Sequence, residues 1–88
     1  MIIEIEINDI DLKCLNNDLL DVDQWVKDAV NGKISQCKSR MIKEWTPRLM
    51  NDPKVSMIPA NEKELINLII ARDDYKDRKE RENDPLRT

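Results

Sequence analysis

The chain has 88 residues, 38% of them charged and only 3% aromatic, with one glycine, no histidine and no phenylalanine. That length reads as a single domain, 1–88, and one glycine argues against an all-β fold, whose tight turns draw on glycine for positive φ. With no histidine the commonest general base and zinc ligand are missing, and one glycine cannot build a phosphate-cradling loop, so neither an enzyme nor a cofactor is expected.

The apolar residues are Ile, Leu, Val and Met, which suit a thin helical core, and the predicted fold class is mainly α. No apolar run approaches the roughly 20 residues that span a bilayer, so no membrane partner is expected. Two cysteines, Cys14 and Cys37, are too few for a disulfide scaffold and point to a reducing compartment. The net charge of −3 conceals a polarity. Residues 1–24 carry seven acids against Lys13, and residues 25–51 carry six bases against Asp28 and Glu44. These segments should attract one another, within a chain or between copies. The bases spread over more than one helix face, so nucleic acid is not expected as a partner.

In chain order, Ile2-Ile3-Glu4-Ile5-Glu6-Ile7 alternates with period two and predicts a short extended strand. A lone strand must pair with a partner, add to another protein's sheet edge, or lie across helices. Asn8 or Asp9 then caps a short helix to about Asn16, with Ile10, Cys14 and Leu15 facing inward.

A second cap at Asp21 or Asp23 opens one long helix. Val22, Val26, Ala29, Val30, Ile34, Cys37, Met41, Trp45 and Leu49 recur there at spacings of three and four. Gly32 interrupts the helix at a cost of about 1 kcal/mol against alanine. Pro47 should kink it near Glu44 and Trp45, or restart it, since Leu49 and Met50 keep the phase.

Asn51-Asp52-Pro53 is a turn, and residues 54–59 form a loop whose Val55, Met57 and Ile58 pack down. Asn61 with Glu64 has the spacing of a capping box before Leu65, Ile66, Leu68, Ile69 and Ile70, the C-terminal helix. Residues 72–88 are a charged tail of balanced sign, either a helical extension held by i,i+4 pairs or a solvated end.

A helix from residue 22 to 51 would be about 45 Å long. A compact globule of this size is only about 30 Å across. The apolar stripe runs along the whole helix, so another chain is the simplest cover for part of it.

Cys14 and Cys37 have three readings, a redox pair, a partial metal site or buried small hydrophobes; Cys37 lies in phase on the stripe, which favours burial. Asp9, Asp11, Asp21 and Asp23 are spaced as in calcium loops but lack the glycine and later glutamate of one, so they read as solvated acids at helix starts. Trp25 and Trp45 serve either as core or as partner anchors, and Trp45, with Arg40, Lys43 and Arg48 nearby, is the better anchor. The candidate partner-binding residues are therefore Ile3, Ile5, Ile7, Trp25, Met41, Trp45 and Arg48.

Two stretches, 21–45 (DVDQWVKDAVNGKISQCKSRMIKEW) and 58–78 (IPANEKELINLIIARDDYKDR), resemble small open reading frames of tailed bacteriophages, often found near genes for virion and tail components. The motifs are a Trp near the start of a long helix, a later Glu-Trp, and an Ile-Pro-Ala-Asn entry to the last helix. Together with residues 9–20 they cover most of the chain. The resemblance implies a viral origin and a place in the particle. Joined to the missing catalytic residues and the overhanging helix, it leads to the expectation of a non-enzymatic accessory or assembly protein in the virion or the host cytoplasm. In that role the long helix packs against copies of itself or against tail or head proteins. The alternative is a small acidic inhibitor of a host protein, acting through residues 1–24. Neutralising Asp18, Asp21 and Asp23 should then abolish inhibition.

Overall fold

The computed structural model describes residues 1–83 and is mainly helical, with four helices in the order α1 (Asp9–Asp18), α2 (Val22–Met50), α3 (Glu62–Ile70) and α4 (Arg78–Glu82). The chain divides into two compact units, Met1–Gln36 and Cys37–Thr88, with α2 running through the boundary.

In the first unit, residues 1–8 form no strand, and no strand occurs among the described residues. The reason is physical: an extended segment becomes a strand only through a ladder of hydrogen bonds, and these residues have no second strand to pair with. Ile2, Ile3 and Ile5 are therefore exposed, while Ile7 is half-buried. Asn8 is the cap of α1, its Oδ1 accepting from the Asp11 amide at 2.9 Å. The inward residues of α1 differ from expectation. Leu15 and Leu19 are half-buried, but Ile10 and Cys14 are exposed, because one ten-residue helix with no sheet beside it has too little to cover two faces.

At the start of α2, Asp21 accepts from the Gln24 amide at 3.1 Å in capping geometry. The acidic and basic segments meet locally through Asp23 and Lys27, one turn apart and 2.8 Å from each other. The helix then continues unbroken through Pro47 to Met50. Proline removes the donor that the Lys43 carbonyl would accept from, and Lys43 is exposed, so that oxygen does not sit in an apolar interior. Regular bonding resumes at once, with the Asn51 amide donating to the Pro47 carbonyl at 3.1 Å.

The second unit holds the core. Trp45 and Leu49 of α2 pack with Leu65 and Ile69 of α3, and Met41, Ile42, Val55, Ile58, Leu68 and Tyr75 close around them. Leu49 and Ile69 are the fully buried pair. Met57, expected to pack down with its neighbours, is exposed instead, since Val55 and Ile58 already occupy the inner side of the loop. Asn61 caps α3 by accepting from the Glu64 amide at 3.1 Å.

The only glycine lies mid-helix, and among the described residues no helix ends on a left-handed residue. The end of α3 instead tightens at Ala71, and the Arg72 amide donates to the Ile69 carbonyl at 3.2 Å. That turn brings Tyr75 against Trp45, with ring centroids 6.2 Å apart and planes tilted by 53°. The charged tail is helical at α4, where Asp77 and Glu80 form a full capping box. Residues 84–88, the rest of that tail, lie outside the described residues.

Candidate docking surface

The candidate partner-binding residues fall into three places. Ile3 and Ile5 stand on the N-terminal arm, 70% and 69% exposed, and Ile7 is held at its root. Trp25, 54% exposed, lines an open groove of about 670 Å³ with Cys14, Leu15 and Leu19, and Asp11 and Asp18 supply its charged rim. Met41, Trp45 and Arg48 come together in the second unit.

Trp45 is a correction to the anchor reading. It is only 6% exposed, enclosed by its own core, because α3 and Tyr75 occupy the ring's surroundings. The Arg48 guanidinium lies 4.6 Å from its ring centroid and also meets Glu44 at 3.4 Å. A tryptophan so used offers a partner nothing to bury; of the two tryptophans only Trp25 is exposed.

A charged cluster sits beside this core. Arg72 donates through Nε and Nη2 to both Asp74 carboxylate oxygens, at 2.9 and 3.1 Å, and its Nη1 lies 3.0 Å from Asp52 Oδ2. The guanidinium is also 5.7 Å from the Trp45 centroid. Asp52 is held below its ordinary pKa first by the Lys54 amide, which donates to Oδ1 at 2.9 Å, and then by Arg72. Asp74 is lowered by its bond to Arg72, and Arg72 is raised by Asp74 and then Asp52. A shallow pocket of about 300 Å³ opens here, but both carboxylates already satisfy the arginine. The cluster ties the loop after α2 to the end of α3, which is a structural task.

What remains is the middle of α2. The stripe read from the sequence is not one face of the helix. Spacings of four outnumber spacings of three, and each step of four advances the line by about 40° on a helix of 3.6 residues per turn. From Val22 to Leu49 the line winds about half-way around. Its C-terminal end is buried in the core, and Val22 and Val26 are half-buried. Between them Ala29, Val30, Ile34 and Cys37 are exposed, Val30 by 53% and Ile34 by 45%. The burial expected of Cys37 is thus not found, and both cysteines are free and exposed.

Val26, Val30, Ile34, Cys37 and Met41 fall within an arc of about 80°, a coherent strip over four turns. On the same geometry Lys33 and Arg40 border one edge, and Lys27 and Lys38 the other. Asp28, the one acid of this stretch, falls outside the strip and both edges. The sequence signalled this strip through its spacing, but the edges emerge only when each charge is placed by angle.

Among the described residues, no group of three or more His, Cys, Asp and Glu side chains could hold a metal ion, and no helix is long and apolar enough to cross a membrane. Comparisons with protein-family models, curated proteins and solved structures find no match.

Proposed function

We propose that this protein is a non-enzymatic assembly component that works by docking protein, copies of itself foremost, on the uncovered middle of α2. The observation that carries this reading is the exposure of Val30, Ile34 and Cys37 on one helix face, between half-buried Val26 and Met41. Apolar side chains that line up on a regular element and lack cover are a surface for association, whereas single scattered ones need no explanation. Trp25, in its acid-rimmed groove, is a second contact for the same assembly.

The place of that assembly in a tailed-phage particle rests on the resemblance of residues 21–45 and 58–78 alone, and virion tail or head proteins are its further proposed partners. The test is sedimentation of the native chain beside Ile34→Asp. The native chain should sediment as a concentration-dependent oligomer and the variant as a monomer with unchanged helicity. An oligomer that Ile34→Asp leaves intact would place the contact elsewhere and overturn the role of the strip.

A further inference from the structure

The strip on α2 has particular chemistry: apolar along its centre and basic along both edges, with Lys27 and Lys38 on one edge held by Asp23 at 2.8 Å and Glu62 at 3.7 Å, and Lys33 and Arg40 on the other. A second α2 laid against it would be a poor occupant. In antiparallel pairing about the strip's midpoint, residue numbers facing one another sum to the same value as Val26 and Met41. Each edge then meets the same edge of the other copy, so Lys27 of one copy lies near Lys38 of the other and Lys33 near Lys33, and like charges meet on both edges. Parallel pairing sets the Lys33 and Arg40 edge of one copy against the Lys27 and Lys38 edge of the other, again base against base. The strip instead calls for a segment that is apolar, acidic and slender.

The chain carries one such segment. Residues 2–7 contain four isoleucines and two glutamates with no base, and Ile2, Ile3 and Ile5 are exposed. We infer that the strip on α2 is the seat for this N-terminal arm from a second copy of the chain. Dimensions agree with charge. Six extended residues span about 20 Å, and Val26 to Met41 covers about 22 Å of helix. Ile3 and Ile5 point to the same side about 6.7 Å apart, close to the 6 Å rise between Val30 and Ile34. Glu4 and Glu6 point to the other side, where Lys33 and Arg40 reach them by bending their long side chains up from the strip's edge. Asn8, fixed as the cap of α1, and half-buried Ile7 root the arm in its own chain while leaving the rest to reach out. Arms exchanged in both directions would give a symmetric dimer with two identical contacts.

This inference rests on the proposed self-association, and its test separates the two. Cys37 lies in the strip and serves as a built-in thiol. One full-length chain carries Ile5→Cys with Cys14→Ser and Cys37→Ser; the other carries Cys14→Ser alone. Mixed and mildly oxidised, they should form a disulfide-linked heterodimer. A docked thiol pair reacts at an effective concentration in the millimolar range, so linkage should be at least about tenfold faster than with Ile10→Cys replacing Ile5→Cys. Reversing charge on the arm (Glu4→Lys with Glu6→Lys) or on the strip (Lys33→Glu with Arg40→Glu) should weaken the dimer, and combining both should restore it. A dimer that cross-links no faster than the control, with no rescue, would remove the arm as occupant and leave self-association standing. Linkage found only within a chain carrying both thiols would make the arm's own chain its seat. A monomer at every concentration would overturn the self-association beneath the inference.

Discussion

Leu49→Ala probes the core that fixes the second unit. Leu49 is 1% exposed and packs with Trp45, Leu65 and Ile69, so truncation removes buried carbon and leaves a cavity. Leu-to-Ala changes at such sites cost about 2–5 kcal/mol. The lower half of that range is expected, about 3 kcal/mol, because α3 is only nine residues long and can shift to fill part of the space. Small domains hold about 0.05–0.15 kcal/mol per residue, which gives a unit of this size only about 3–8 kcal/mol in total. The substitution should therefore leave the unit marginal or unfolded at room temperature. Urea unfolding followed by Trp45 fluorescence, in a Trp25→Phe background, measures it. The companion variant Val30→Ala, at an exposed site, should change the stability of the dissociated chain by less than about 0.5 kcal/mol. A Leu49→Ala cost below about 1 kcal/mol would refute the assignment of this core.

Three further outcomes follow from particular residues. Gly32→Ala should stabilise the chain by about 1 kcal/mol in thermal or urea unfolding, because a Cβ at Gly32 meets nothing within 4 Å and alanine is the better helix former; a loss of stability would mean that something packs there. Asn61→Ala should cost about 1 kcal/mol by removing the bond to the Glu64 amide, whereas Asn61→Ser should recover most of it. Asp52 and Asp74 have folded pKa values below the ordinary 3.8, so their contribution is complete above that value and is lost as pH falls below it. With no histidine to titrate, the melting temperature should change little between pH 6 and 8, then drop on acidification, and less steeply in Asp52→Asn. An equal acid drop in native chain and variant would remove the Asp52 contact from the account.

Much of the helical order was legible in the sequence because caps and spacing are local signals. Asn8, Asp21 and Asn61 each accept from the amide three residues on; position alone singles out Asn61, while Asn8 and Asp21 are each one of two neighbouring candidates in the sequence. What the sequence left undetermined depends on contacts distant in the chain. The alternation in residues 2–7 says which faces are apolar but cannot supply a second strand, so the predicted strand is an unpaired arm. The spacing of the α2 stripe reads the same whether its residues share a face or wind around the helix. Only the accumulated angle separates core Trp45 and Leu49 from exposed Val30, Ile34 and Cys37. The bonds of Arg72 to Asp52 and Asp74 lay hidden in a segment read as a charged tail, where composition does not single out the half-buried arginine. For the docking surface, Ile3, Ile5 and Trp25 are as exposed as a contact requires, while Ile7 is half-buried, Trp45 belongs to the chain's own core and partly buried Met41 packs against it.

The central claim is that the uncovered strip on α2 exists to be covered by another chain. The solution mass of the unmodified protein, from light scattering coupled to size exclusion over a wide range of concentrations, tests it most directly. The account predicts a defined oligomer that dissociates on dilution towards the 10.4 kDa chain. A monomer of that mass at every concentration would contradict it.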